Sequence, residues 1–204
     1  MGRVLGAASP QVGSGHLLAA LELNRNGGPW DRPDDYRRVN GVVRYSRGDS
    51  RNGLSLTGMA YNADWASTDQ VPERAIASGL ISRFGNLDAS DGGRSFRYTA
   101  VADVQRSGVK QSTRATGYVV RYGMNLFQNF TYFLENPETG DQFEQVDRRV
   151  ILGGRLSYRR LGHLGERHTE SAVGIELRHD AVDEVGLYGT VGRQRISTTR
   201  RDDV

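Results

Sequence analysis

The sequence predicts an all-β fold, the wall of an antiparallel transmembrane β-barrel, with about eight long strands of a larger barrel. Three observations predict it. The first is alternation. Over Gln111–Glu135 the positions Tyr118, Val120, Tyr122, Met124, Leu126, Phe130, Tyr132 and Leu134 interleave with Val119, Arg121, Gly123, Asn125, Asn129 and Thr131. A period of two marks a half-buried strand. The second is length. The alternation outruns the roughly 9–11 residues that a bilayer-crossing strand needs, and a mean globular strand has only about 5–6. The third is composition. The chain of 204 residues is 37% hydrophobic with 26 Gly and a mean hydropathy of −0.57. Its longest apolar run, Leu17–Leu21, is far below the roughly 18 residues of a spanning helix. A barrel tolerates such polarity because only every second strand residue meets lipid.

Charge and cysteine usage narrow the class. The net charge is +3, from 27 basic and 24 acidic residues. Nearly all the cations are Arg, spread along the strands rather than gathered on one face with stacking aromatics. A nucleic-acid partner is therefore not expected. The chain has no Cys, which excludes disulfides, thiolate metal sites and Cys nucleophiles. Strand pairing must then hold the chain together, as a closed barrel does. The opening Met1-Gly-Arg-Val-Leu-Gly-Ala-Ala-Ser-Pro10 lacks the apolar run of a signal peptide. The expectation is either an internal protein or a segment whose export signal lies upstream.

Taken in order, Gly15–Asn24 sets Leu17, Ala19, Leu21 and Leu23 against Ala20, Glu22 and Asn24, a strand. Gly, Pro and Asp make Asn26–Asp35 a loop. Tyr36–Arg47 sets Val39, Gly41, Val43 and Tyr45 against Arg38, Asn40, Arg44 and Ser46. A tight turn at Gly48–Gly53 precedes a third strand, Leu54–Trp65, and Ala66–Gly93 is a long connection. Arg94–Arg106 puts Phe96, Tyr98, Ala100, Ala102 and Val104 outward. A turn at Ser107–Lys110 leads into the long strand, and Asn136–Asp147 follows as a loop. Arg148–Arg160 sets Val150, Leu152, Leu156 and Tyr158 against Arg149, Arg155, Ser157 and Arg159. After a turn at Gly162–Thr169, Ser171–Asp180 sets Val173, Ile175 and Leu177 against Gly174, Glu176 and Arg178. Val185–Thr198 is the last strand. Long and short connections tend to alternate, as they do in outer-membrane barrels. A soluble barrel or sandwich has the same period with the apolar side inward, but uses shorter strands.

Several stretches resemble one family. They are Leu54-Ser-Leu-Thr-Gly-Met-Ala-Tyr61, Asn62-Ala-Asp-Trp-Ala-Ser-Thr-Asp-Gln-Val-Pro72, Ile81-Ser-Arg-Phe-Gly-Asn-Leu-Asp88 and Asp91-Gly-Gly-Arg-Ser95. Arg38–Tyr45, Gln142–Arg149 and Leu187–Thr199 extend the likeness. Together they resemble the barrel of a TonB-dependent outer-membrane receptor, from about Gly15 onward. The resemblance implies a place in the bacterial outer membrane, in a barrel of about 22 strands with an N-terminal plug. It also implies uptake of a siderophore, vitamin or similar solute, energised through the TonB complex. The partners implied are outer-membrane lipid, the plug domain, the TonB complex and a small metal chelate or vitamin. The chain departs from the pattern in lacking a plug and TonB box, in strand number, and in ending Asp202-Asp-Val204 without a terminal aromatic. The expectation is one domain, 1–204, a mid-barrel segment or truncated product that does not transport alone. The alternative is a complete small eight-stranded barrel with a binding or structural role. An enzyme is the remote third reading.

Candidate sites follow from the facing pattern. Arg97, Arg121, Arg149, Arg155, Glu176 and Arg178 are expected to face a lumen. Tyr118, Val120, Tyr122, Val150, Leu152 and Tyr158 are expected to face lipid. Trp65, Gln70 and Arg74 sit where the resembling family's long outer loop begins, and are the expected solute-facing positions. Asn86, Asp88, Asp91 and Gly92 miss the ligand offsets of a calcium loop and read as a polar turn. His163 and His168 share a turn but lack the further ligands zinc wants. His16 and His179 have no partner pattern. The spacing of Gly186, Gly189 and Gly192 matches no nucleotide fingerprint and suits bends in a strand. No Gly-x-Ser-x-Gly elbow or phosphate loop occurs. No catalytic residue, metal or cofactor is expected.

Overall fold

The computed structural model describes residues 1–67 and 70–202. Its β-strands are β1 (Gly2–Ala8), β2 (Gln11–Val12), β3 (Gly15–Asn26), β4 (Tyr36–Gly48), β5 (Asn52–Ala66), β6 (Gly92–Ser107), β7 (Gln111–Gln128), β8 (Phe143–Leu164), β9 (Arg167–Val191) and β10 (Gln194–Asp202). One short helix, α1 (Glu73–Ala77), interrupts the connection between β5 and β6. The strands form one antiparallel sheet in the order β1-β3-β4-β5-β6-β7-β8-β9-β10, with β2 pairing β3 at its border. Each strand neighbours its sequence neighbour, an up-and-down meander. The sheet is open, because β1 and β10 do not pair with each other among the described residues.

Ten strands stand where about eight are expected, and the physical reasons are local. β1 is one addition, stitched to β3 through seven register pairs from Gly2↔Arg25 to Ala8↔Ala19. The alternation within Met1–Pro10 is too faint to read. The stretches 171–180 and 185–198 are regrouped as β9 and β10. A bulge near Asp183 shifts register between Arg148 and Arg149 and joins the first stretch to the start of the second. A two-residue turn then splits off β10, with Gly192 and Arg193 both at positive φ, as the preferred hairpin turn requires. β7 stops at Gln128, earlier than the expected Glu135. The aromatic residues beyond it fold into a loop around Asp141.

Connections differ sharply between the two ends. Residues 27–35, 67–91 and 129–142 join strands at one end. Residues 49–51, 108–110 and 165–166 join them at the other. The 192–193 turn is the short exception at the long-loop end.

Cross-strand register fixes which side chains share a face, because directly opposed residues lie on the same side. One face carries an apolar band across the meander. From β3 to β6 it runs Leu21↔Gly41↔Ala60↔Tyr98 and Ala19↔Val43↔Gly58↔Ala100. From β6 to β9 it continues Ala100↔Val119↔Leu152↔His179 and Val104↔Ala115↔Leu156↔Ile175. This is also the face open to the surroundings. Leu21, Leu56, Leu152 and Ile175 are each about half exposed, at 50%, 49%, 49% and 56%. The opposite face is polar: Arg97, Thr99, Asp103, Arg149, Arg155, Glu176, Arg178 and Asp180 lie on it. Val120 also lies there and is 5% exposed.

Two expected facings are corrected by this register. Tyr118, Val120 and Tyr122 oppose Val101, Thr99 and Arg97 on β6 and Gly153, Ile151 and Arg149 on β8, so they stand on the polar face. Arg121 opposes Tyr98 and Val150, so it stands on the apolar face. The cause lies in β7 itself. In its middle, Tyr118, Val120 and Tyr122 alternate with Gly117, Val119 and Gly123, with Arg121 the one charge among them, so the strand alone points its larger apolar side chains to the wrong face. The neighbouring strands decide. Val150, Leu152 and Tyr158 fall on the apolar face.

Aromatic rings over glycines lock parts of this register. The Tyr118 ring occupies the space a side chain at Gly153 would need, directly across the β7–β8 pair. Phe96 covers Gly123 in the same way between β6 and β7.

Candidate functional site

The polar face holds the chemistry. Four strands contribute one row, Tyr61↔Arg97↔Tyr122↔Arg149. Aromatic and cationic side chains alternate across it, about 4.8 Å from strand to strand. Four residues down each strand, Thr57↔Val101↔Tyr118↔Gly153↔Arg178 crosses the same strands and β9. Arg97 and Arg178 line one cleft of about 380 Å³, floored by Val120, Tyr118 and Ile151.

Ion pairs set the orientation of half these cations. Arg149 donates Nε and Nη2 to the two carboxylate oxygens of Asp147, each at 2.7 Å. Arg178 does the same to Asp180, at 2.7 and 2.8 Å. Arg149 Nη1 lies 4.0 Å from Asp180, joining the pairs into one network across β8 and β9. Both bidentate pairs are two residues apart on one strand, where a period of two puts them side by side. Asp103 accepts from Arg114 at 3.1 Å and from the Thr116 hydroxyl at 2.6 Å. Glu22 pairs with Arg3 at 2.9 Å and with Arg38, tying β1 to β3 and β4. Arg97 and Arg155 form no ion pair among the described residues. Arg155 stands directly opposite Glu176 in the register.

The structure thus brings five of the six expected lumen residues onto one face, and Arg121 is the one it removes. Sequence reasoning missed Tyr61, Asp147 and Asp180. The spacings Asp147-x-Arg149 and Arg178-x-Asp180 were the available signal.

The three expected loop positions do not converge with this row. Trp65, the penultimate residue of β5, lies on the polar face with its ring against Gly93. The Gln70 carbonyl accepts a hydrogen bond from the Tyr132 hydroxyl at 2.6 Å. Arg74 is exposed on α1.

The loops at that end knit to one another. Asp88 accepts from Asn129 at 2.9 Å, from the Ser90 amide at 2.9 Å and from Gln142 at 3.1 Å. Gln142 also donates to Asp91 at 3.2 Å and accepts from the Thr190 hydroxyl at 2.9 Å. Burial pushes the Asp88 carboxyl up, but these donors outweigh it and hold it below its ordinary value. With its oxygens taken by protein donors, Asp88 is a loop clasp, as the polar-turn reading anticipates. Asp141 has the same character. It accepts from the backbone amides of Leu134, Glu135 and Asn136 at 2.9, 3.0 and 2.7 Å. Desolvation opposes its ionisation, yet the Glu135 and Asn136 amides, with the Thr131 and Asn136 side chains, lower its pKa to about 2.

No cluster of three or more His, Asp or Glu suited to a metal occurs among the described residues. His163 and His168 meet across the β8–β9 hairpin with ring centroids 4.4 Å apart and the rings tilted at 56°. Among the described residues no helix is long and apolar enough to cross a membrane, which leaves crossing by strands open. Comparison with protein-family models, with curated proteins and with solved structures returned no match to this chain.

Proposed function

We propose that the chain is a wall segment of a β-barrel in the bacterial outer membrane, from a TonB-dependent receptor that takes up a scarce solute. One observation carries the membrane part: Leu21, Leu56, Leu152 and Ile175 on the apolar face are about half exposed, while on the polar face Val120 is buried and Thr99, Asp103 and Tyr122 are partly covered. A water-soluble sheet arranges these the other way, because exposed apolar patches beyond a few hundred Å² are rare on soluble monomers. Long connections at one end and tight turns at the other fit the asymmetry of outer-membrane barrels. The stretches around Leu54–Tyr61 and Ile81–Ser95 support the receptor part. The Tyr61–Arg97–Tyr122–Arg149 row suits an anionic, partly aromatic metal chelate, which cations and ring faces both attract.

The chain lacks Cys, so single-Cys variants report facing cleanly. The test labels Leu152→Cys, Ile175→Cys and Leu56→Cys on the apolar face, and Thr99→Cys and Ser157→Cys on the polar face, in micelles of a brominated detergent. Strong quenching at the first three and weak quenching at the last two is expected. A monodisperse protein without detergent, with the first three labels shielded from aqueous quencher, overturns the membrane reading. The receptor part is tested on the coding sequence around this segment. An in-frame plug domain supports it, and a full-length frame without one overturns it.

A further inference from the structure

On the apolar face, just above the band at the long-loop end, the polarity changes within one step on several strands. Arg25 follows Leu23 on β3, Arg37 precedes Val39 on β4, Arg94 precedes Phe96 on β6, and Arg148 precedes Val150 on β8. Arg25 and Arg37 are direct cross-strand partners on this face. Like charges directly opposed destabilise a sheet, so the pairing needs an anion nearby. Asp35 approaches Arg25 only at 3.7 Å with both groups exposed. Asp64 stands opposite both Arg37 and Arg94 but forms an ion pair with neither among the described residues.

A cavity of about 940 Å³ opens at this level. Six arginines and three carboxylates line it. Three of the arginines are already engaged. Arg195 holds Glu144 at 2.5 Å and Glu184 at 2.9 Å, Arg148 holds Glu184 at 3.2 Å, and Arg193 donates to the carbonyls of Ser90 and Asp91. Arg32, Arg37 and Arg94 form no ion pair among the described residues.

We infer that this cavity binds the phosphorylated headgroup of a membrane lipid whose acyl chains lie on the apolar band below. The inference rests on the membrane reading above. Position selects a lipid over a free anion, because the cations cap the hydrocarbon-facing band on its own side of the sheet. Width selects a headgroup with more than one phosphate. Arg37 on β4 and Arg94 on β6 stand two strand spacings, about 10 Å, apart along the cavity, with Arg32 beside them, so the free guanidinium groups are spread over more than the width of a single phosphate. Guanidinium forks supply bidentate donors that match phosphate oxygens.

The test is native mass spectrometry of the full chain released from micelles, titrated with four probes: a diphosphoryl lipid (lipid A), phosphatidylglycerol, phosphatidylcholine and inorganic phosphate. Lipid A is expected to bind tightest. Arg37→Gln and Arg94→Gln each raise its dissociation constant about tenfold. Arg106→Gln, at the short-turn end of the same face, leaves it unchanged. Far-UV circular dichroism of each variant confirms that the sheet persists. Equal binding of phosphatidylcholine, or unchanged affinity in the two variants, overturns the inference. Inorganic phosphate binding as tightly as lipid A reassigns the cavity to a free anion and overturns it too. Brominated-detergent quenching on the same preparation separates the failures. Quenching on the apolar face without lipid selectivity refutes the headgroup site alone, and absence of that quenching refutes the membrane reading with it.

Discussion

An arginine placed on the apolar face should cost stability according to its depth. Leu156 lies on β8 between Ala115 and Ile175, both apolar, and is 48% exposed. On β8 the band runs between Arg148 and Arg160, so its centre is near Gly154. Leu156 is two residues from that centre, about 7 Å along the strand and about 5 Å in depth at a tilt near 40°. Leu164 is on the same face, ten residues from Gly154, which is about 25 Å in depth by the same geometry. The apolar band of an outer-membrane barrel is about 25 Å tall, so its half-height is about 12 Å. Leu156 falls inside it and Leu164 beyond it. Leu156→Arg should therefore cost about 2–3 kcal/mol, and Leu164→Arg about 0–1 kcal/mol. On a water-exposed sheet both substitutions stay within about 0.5 kcal/mol. The assay is urea unfolding in lipid bicelles, followed by tryptophan emission and circular dichroism. Equal costs at the two positions refute the depth argument, whatever their size.

Three further outcomes follow from the same geometry. Gly153→Leu drives a side chain into the Tyr118 ring and should destabilise by about 1–3 kcal/mol. Tyr118→Ala in the same chain should recover part of that loss, and an additive double variant contradicts the ring-over-glycine contact. Asp141→Asn removes the charge that gathers three loop amides, so exchange at Leu134, Glu135 and Asn136 should accelerate while exchange in β7 stays constant. Because the folded pKa of Asp141 is depressed to about 2, the ordering it supplies is complete above its ordinary value near 3.9 and fades as pH falls towards 2. An unchanged loop exchange pattern across that window counts against this. Arg121→Leu removes the lone arginine inside the apolar band and should raise stability in bicelles by roughly 1 kcal/mol, since Arg121 sits near the band's upper limit and can extend its guanidinium out of it. A loss of stability instead returns Arg121 to the polar side.

Strand existence and most facings were legible because β6, β8 and β9 each confine charge to one side over their central residues. Arg97 against Tyr98, Arg155 against Leu156 and Arg178 against Leu177 are unambiguous within single strands. β7 was not, since Tyr118 and Val119 are both compatible with lipid, and only pairing with Gly153 and Leu152 separates them. The loop clasp was half visible. Asp88 and Asp91 stood out, but Asn129, Gln142 and Thr190 join them from 38 to 102 residues away, a closeness that only the meander creates. β1 was invisible, because Gly2, Gly6 and the small Ala7 and Ala8 carry almost no periodic signal. The final Asp203 and Val204, part of the ending that lacks an aromatic, lie outside the described residues.

The outermost strands β1 and β10 leave one line of backbone amides and carbonyls bare on each flank of the sheet. Hydrocarbon offers such groups no hydrogen-bond partner, and each left unmatched costs several kcal/mol. A sheet with this greasy surface therefore cannot rest in a bilayer as an isolated ribbon. Whatever carries it there must pair the edges Gly2–Ala8 and Gln194–Asp202, with each other or with further strands.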